Sequence, residues 1–321
     1  MANRHCILSI DAGGTKTDGL VLDRDKLSGV MLSREGSNPN IYREQGVATI
    51  TSIVKTLIEK GGVLPEDVED CVIGLAGISR TAYRKQIEKA LNKIFPQSSI
   101  HLISDAQLAH HGIWGKASGI TLIVGTGSIA VGIDEEGTFY RAGGFGYNIG
   151  DEGSGYCLGK SVITQLITNE QSTDEEVVSI RDEFVAHVGA PDFEGMLRIL
   201  SMSEKNISTL AGLTPIILKA AEDSNFFVNQ TVMQGAECLA DLILELTEKM
   251  GITEEKLLVG ISGSVIVKSN YYRNLIEDHL LYDFPEMEWV LPQFPSVYGG
   301  LAIASYPIQL DNFSKLVVEI V

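Results

Sequence analysis

Three glycine turns in this 321-residue chain combine residue types that hold anions. The first is Ala12-Gly13-Gly14-Thr15-Lys16, preceded by Asp11; the second is Gly125-Thr126-Gly127-Ser128; the third is Ser262-Gly263-Ser264. Each follows an apolar run. In a tight glycine turn, backbone N–H groups converge on a nest, and the missing Cβ lets an anion approach the chain. One such turn is also how an ordinary hairpin closes. Three of them, each after an apolar strand, point to a nucleotide. Asp11, at a strand end, suits a hydrated Mg²⁺, which takes few carboxylates and keeps its waters.

Three further segments carry candidate chemistry. Asp105 closes an apolar segment and precedes a helical one. A carboxylate at the carboxyl end of a strand can accept a proton from a hydroxyl during phosphoryl transfer, and Asp is equally a favoured helix N-cap. Residues 143–155, Gly-Gly-Phe-Gly-Tyr-Asn-Ile-Gly-Asp-Glu-Gly-Ser-Gly, set six glycines around Phe145, Asp151 and Glu152. So many glycines cost backbone entropy, which a mere linker does not justify. Carboxylates accept from hydroxyls and an aromatic face packs on C–H groups, so this loop fits a polyol. Gly36-Ser37-Asn38-Pro39-Asn40 either presents an amide to the same ligand or is a simple turn.

Two tempting motifs fail on context. Gly125-Thr126-Gly127-Ser128-Ile129-Ala130 matches the dinucleotide fingerprint, but that fingerprint needs a helix after the turn. Here Ile-Ala-Val-Gly-Ile reads as a strand. Gly159-Lys160-Ser161 resembles the end of a phosphate-binding P-loop, but no glycine stands at the required spacing before it.

The elements that must position these residues repeat. Residues 6–11 and 17–23 read as strands joined by the first glycine turn, with a third strand at 29–33. Apolar spacing predicts a helix over 41–60 and another over about 80–94, with strands at 71–76 and 101–105. Strand, glycine turn and strand then recur at 120–124, 125–128 and 129–133, with a third strand at 138–142. Helices dominate 154–250, a strand fits 256–261, and 297–306 reads as helical. The expectation is an internal duplication of α/β architecture with mixed sheets, the boundary near 115–119. The expected domains are 1–117 and 118–321, the final helix of about 297–306 packing back on the first.

Composition bounds the partners. The chain is 44% hydrophobic, with 25 Lys and Arg against 42 Asp and Glu, for a net charge of −17. That balance is globular and hostile to nucleic acid or an anionic membrane surface. No apolar run reaches the roughly 18–20 residues of a membrane span, and no signal-peptide pattern opens the chain, so a cytoplasmic protein is expected. Cys6, Cys71, Cys157 and Cys238 are scattered without metal or redox spacing. The six histidines form no metal pattern.

Taken together, Asp-Ala-Gly-Gly-Thr-Lys-Thr (11–17), Ser-Asn-Pro-Asn (37–40), Ser-Asp-Ala (104–106), Val-Gly-Thr-Gly-Ser (124–128), the loop 143–155 and Gly-Ile-Ser-Gly-Ser-Val (260–265) resemble the sugar kinase/Hsp70/actin ATPase superfamily. More closely, they resemble its BadF/BadG/BcrA/BcrD group, which contains N-acetylglucosamine kinases. The resemblance covers nearly the whole chain, in order, and the Gly-Asp-Glu-Gly-Ser segment is its most specific part. It implies two actin-like (ribonuclease H-like) domains with mixed sheets flanked by helices and an ATP cleft between them. It also implies a homodimer that transfers the γ-phosphoryl group of ATP-Mg²⁺ to O6 of an amino sugar.

By position, the resemblance places Gly13, Gly14, Thr15 and Lys16 in a first phosphate loop, and Gly125, Thr126 and Gly127 in a second. Gly263 and Ser264 would lie by the adenosine, Asp11 would serve the metal through water, and Asp105 would be the base. Asn38, Asp105, Gly144, Phe145, Gly146 and Asp151 would hold the sugar. Position 145 is Phe where animal N-acetylglucosamine kinases carry Trp, and Ser262-Gly263-Ser264 stands where Gly-Gly is commoner. A sister group of iron–sulfur dehydratase activators carries a Cys-Ala-Ala-Gly-Thr-Gly segment, which is absent here. The zinc motif of ROK sugar kinases is absent too. The expected function is therefore an amino-sugar kinase, N-acetylglucosamine first, with glucosamine or N-acetylmuramic acid as alternatives. An ATP-switched activator is the alternative from another class.

Overall fold

A computed structural model describes residues 5–78, 82–147, 149–202, 206–305 and 307–321. Residues 80–81 of the second expected helix, Asn148 of the glycine-rich loop and Tyr306 lie outside the described residues.

Strand β1 (Cys6–Ala12) is buried on both faces, which marks it as central to a sheet. The Gly13 turn leads to β2 (Lys16–Asp23), then to β3 (Ser28–Glu35). Helix α1 (Pro39–Lys60) begins two residues before the expected position, because Asn38 caps it and Pro39 fits its first turn at no hydrogen-bond cost. Strand β4 (Val68–Leu75), α2 (Arg84–Ile94), β5 (Ser99–Ile103) and α3 (Asp105–Trp114) follow. Strand β5 stops at Ile103 and not at Asp105, because Ser104 already caps α3.

The pattern restarts with β6 (Gly119–Val124), β7 (Ser128–Ile133) and β8 (Phe139–Gly143). Six helices come next: α4 (Gly155–Thr168), α5 (Glu175–Val188), α6 (Phe193–Met202), α7 (Asn206–Gly212), α8 (Thr214–Glu222) and α9 (Phe226–Met250). Then come β9 (Lys256–Ser262), the short α10 (Ser264–Lys268), α11 (Asn270–Leu280) and β10 (Glu286–Val290). The expected helix over 297–306 contracts to α12 (Gly299–Ile303) behind a single 3-10 turn. Strand β11 (Val317–Ile320) closes the described chain. None of the described helices is long and apolar enough to cross a membrane.

The chain divides into two units, Met1–Ser118 with Pro292–Val321, and Gly119–Leu291. The sheet of unit 1 has the order β11-β3-β2-β1-β4-β5, and that of unit 2 the order β10-β9-β6-β7-β8. Without β11 the two orders are the same: a three-stranded antiparallel meander whose first strand is extended in parallel by two more. The strand–turn–strand repeat of the sequence is thus a repeat of the whole sheet. In unit 1 the side chains of β1 alternate between two cores. Leu8 and Ile10 pack under α1 and α2 with Ile53, Leu57 and Ile87. Ile7 packs with Leu301 and Phe313 on the other face. In unit 2, Leu122, Val259 and Ile261 pack with Val232, Leu239 and Ile276 of α9 and α11.

Charge is divided unequally. Unit 1 carries fifteen Lys and Arg against fifteen Asp and Glu. The net charge of −17 therefore falls entirely on unit 2, where 10 face 27. Any anion held by unit 2 must be held by local donors against that field.

Candidate functional site

In unit 1 the first glycine turn and the Ser37-Asn38 segment form one hydrogen-bonded block. The Gly13 carbonyl accepts from the N–H groups of Ser37 and Asn38 at 3.1 and 3.2 Å, and Gly36 N–H donates to Thr15 O at 3.0 Å. Tyr42 Oη donates to Gly14 O at 3.0 Å, and the hydroxyls of Thr17 and Ser37 lie 2.7 Å apart. Gly13 N–H closes the turn onto Lys16 O at 3.1 Å. The N–H groups of Gly14 and Thr15 donate to nothing among the described residues, so these two form the open part of the nest. Lys16 Nζ lies 3.0 Å from an Asp18 carboxylate oxygen on β2, so its charge is partly neutralised.

The close approach of these segments requires Gly36: a Cβ there would stand 2.1 Å from Gly14 O. Gly36→Ala is expected to lower stability by about 1–3 kcal/mol, as overpacking does, and to raise the KM for nucleotide. Denaturant unfolding and steady-state kinetics check both.

Asn38 caps the helix with its side-chain oxygen and leaves its side-chain nitrogen open. Its side-chain oxygen accepts from Asn40 N–H at 2.9 Å and caps α1. Its amide N–H groups donate to nothing among the described residues and are available to a ligand.

Asp105 is not the cap of its helix. Ser104 is: its hydroxyl accepts from Gln107 N–H at 3.1 Å while Gln107 Oε1 accepts back from Ser104 N–H at 3.1 Å. This reciprocal box leaves the Asp105 carboxylate at the first helical position, accepting from Ala106 N–H at 2.9 Å. Burial raises its proton affinity above the ordinary carboxylate range.

Asp11 stands nearby. Asp11 pairs across the sheet with Gly74, and Gly74 with Ile103, two residues before Asp105. Both acids thus sit at the carboxyl end of the parallel strands, about 10 Å apart if measured as two strand spacings. Burial first, then the charges of Asp105 and Asp18, push the Asp11 carboxyl up to about 7. It makes no hydrogen bond or ion pair among the described residues. A partly buried, unpaired carboxylate beside two other acids is a donor set that a hydrated divalent cation would satisfy. No group of three or more metal-ligating side chains occurs among the described residues.

Unit 2 repeats the arrangement. The Gly125 turn joins β6 to β7, a strand and not the helix a dinucleotide fold requires. Gly125 N–H closes onto Gly127 O at 2.9 Å. The N–H groups of Thr126 and Gly127 donate to nothing among the described residues, the counterpart of Gly14 and Thr15. This turn is stitched to the acidic loop. Gly155 N–H donates to Gly125 O at 2.9 Å, Tyr156 N–H to Thr126 O at 3.2 Å, and Ser128 Oγ to Glu152 O at 2.8 Å.

Asp151 lies against the same turn: a Cβ on Gly127 would fall 2.6 Å from its carboxylate oxygen. Asp151 has φ 63°, a strained value for a non-glycine residue, and accepts from Gly146 N–H at 3.1 Å. Burial raises its proton affinity, with the Gly146 bond opposing. Phe145 is 52% exposed, so its ring is available to a ligand face, while Gly144 and Gly146 adopt positive φ. Gly263 (φ 92°) packs on the Val124 carbonyl, so the third turn sits beside the second, followed by exposed Ser264. Gly159 and Lys160 lie within α4, confirming that no P-loop is present there.

Sequence reasoning missed the supports. Tyr272, fully buried on α11, donates to Gly153 O at 2.8 Å and holds the acidic loop from beneath. Arg141 on β8 donates to Gly143 O and Gly144 O. Neither residue stands in a recognisable motif. The Ser104–Gln107 box was readable as a Ser-x-x-Gln spacing.

Comparison with known proteins agrees with this geometry. The family model described as the BadF/BadG/BcrA/BcrD ATPase family matches residues 8–304. The chain is 26% identical over 301 residues to an N-acetylmuramic acid/N-acetylglucosamine kinase of Clostridium acetobutylicum, covering 93% of this chain and 97% of that one. It is 25% identical over 303 residues to an N-acetyl-D-glucosamine kinase of Dictyostelium discoideum, covering 89% and 93%. A solved structure from Chromobacterium violaceum superposes with a TM-score of 0.71 at 21% identity, covering 93% of this chain and 98% of that one. The two repeated mixed sheets are those of the sugar-kinase, actin-like ATPase fold, and the chain belongs to the BadF/BadG/BcrA/BcrD ATPase family.

Proposed function

We propose that this protein is an ATP-dependent kinase that phosphorylates O6 of an amino sugar, N-acetylglucosamine first, with glucosamine and N-acetylmuramic acid as close alternatives. The observation that carries the reading is the Asp105 carboxylate, released from capping by Ser104 and raised in proton affinity by burial. The names of the relatives, kinases of N-acetylmuramic acid and N-acetylglucosamine, agree with it.

The chemistry is positioning and electrostatics. The free N–H pairs of Gly14 and Thr15 in unit 1, and of Thr126 and Gly127 in unit 2, bind phosphate oxygens. Gly13, Lys16 and Gly125 shape those turns, and Gly263 and Ser264 flank the adenosine. Asn38 donates to, and Asp151 accepts from, sugar hydroxyls, and the Phe145 ring covers a sugar face, with Gly144 and Gly146 giving the loop its turn. Asp105 accepts the O6 proton as O6 attacks the γ-phosphorus and ADP leaves. Asp11 holds a hydrated Mg²⁺ through water; when bound, that ion neutralises charge on the phosphates.

The test is ADP release with and without N-acetylglucosamine, glucosamine or N-acetylmuramic acid. A rise of at least about 10²-fold with one of them is expected, the scale of a positioned general base. Release independent of any amino sugar would instead fit an ATP-switched activator.

A further inference from the structure

Arg141 holds the start of the glycine-rich loop. Its Nη2 donates to the carbonyls of Gly143 and Gly144 at 2.7 and 2.8 Å. Both glycines have φ 68°, two consecutive left-handed residues that turn their carbonyls toward one donor. The guanidinium carbon lies 5.2 Å from the centroid of the Phe145 ring, a cation–π distance. Its charge also acts on Asp151, opposing the burial that raises that carboxyl. The backbone of Arg141 is held in turn: Lys249 Nζ from α9 donates to its carbonyl at 2.9 Å and pairs with Glu245.

One nitrogen of the planar, permanently charged guanidinium bonds both carbonyls while the group lies over the ring. We infer that Arg141 is a positioning residue for sugar binding, fixing the 143–146 turn and the face of Phe145 together. The inference rests on the amino-sugar reading for its kinetic arm, while its structural arm stands alone.

The experiment compares the full-length wild type with Arg141→Ala, Arg141→Lys and Arg141→Gln. Amide hydrogen exchange without ligand is read at Gly146, Ile149 and Gly150, whose N–H groups bond within the loop. Exchange there is expected to rise at least about tenfold in Arg141→Ala while the α5 amides keep their protection, since each charge-assisted bond lost is worth that much or more. In kinetics, the KM for the amino sugar is expected to rise at least about tenfold and that for ATP by less than about twofold. Arg141→Lys, which keeps the charge and three N–H donors, recovers more than Arg141→Gln, which is neutral and two bonds shorter. Unchanged loop exchange with an unchanged sugar KM overturns the inference, as do equal rises in both KM values. Faster loop exchange in Arg141→Ala, with no amino-sugar-dependent ADP release by the wild type, supports the loop clamp and overturns the substrate reading.

Discussion

Asp105→Asn is expected to lower kcat by about 10²–10⁴-fold with little change in the KM for sugar or ATP. The substitution keeps the side chain's shape and its oxygen for Ala106 N–H, and the Ser104–Gln107 box that starts the helix is untouched. It removes the proposed proton acceptor alone. Because burial raises the affinity of Asp105 for its proton, the wild-type rate is expected to climb with pH beyond the ordinary carboxylate range. Residual activity of the variant should lose that limb. Steady-state kinetics across pH, with circular dichroism to verify folding, decides the matter; near-wild-type kcat would remove Asp105 from the role of base.

Asp11→Asn should separate activity from stability in opposite directions. Activity is expected to fall at least about 10²-fold, since the carboxylate proposed to hold the metal is lost. Stability should rise at alkaline pH. The Asp11 carboxyl is lifted from 3.8 to about 7 by burial and by the neighbouring acids. A group raised on folding contributes stability that is present below its unfolded value and lost as pH climbs through its folded one. At pH 8 the wild type therefore carries an unfavourable charge that Asn lacks. The full shift would correspond to roughly 4 kcal/mol, and partial exposure reduces this to about 1–3 kcal/mol. At pH 4 the two proteins should be nearly equal. Thermal unfolding at both pH values, with and without Mg²⁺, provides the check. Mg²⁺ should stabilise the wild type at pH 8 and leave Asp11→Asn unmoved; equal stabilisation of both would place the metal elsewhere.

What could be read from the sequence was whatever depended on short spacing. The glycine turns, Asp11, Asp105 and the acidic loop are local patterns whose chemistry follows from residue type. The repeat showed itself because apolar strand, glycine turn and apolar strand occur twice. The pairing of the Gly13 turn with Ser37 and Asn38 was hidden, since it runs through backbone groups that every residue carries. Strands β10 and β11 escaped because they are short, five and four residues, although Glu286 and Glu288 of β10 alternate with apolar neighbours as strand residues do. Arg141 was unreadable for another reason: a lone arginine beside glycines signals nothing until the chain turns two carbonyls onto it.

The stitching of each glycine turn to its neighbouring ligand segment has a thermodynamic consequence. In unit 1 the carbonyls of Gly13 and Thr15 are committed to residues 36–38, and in unit 2 those of Gly125 and Thr126 to residues 155 and 156. Neither member of a pair can shift without breaking bonds to the other. With the turns holding nucleotide and the segments sugar, as proposed, ordering one by its ligand prepays part of the cost of ordering the other, and nucleotide and sugar would share a coupling free energy. Linkage makes that coupling reciprocal: whatever factor the sugar adds to nucleotide affinity, the nucleotide returns to the sugar.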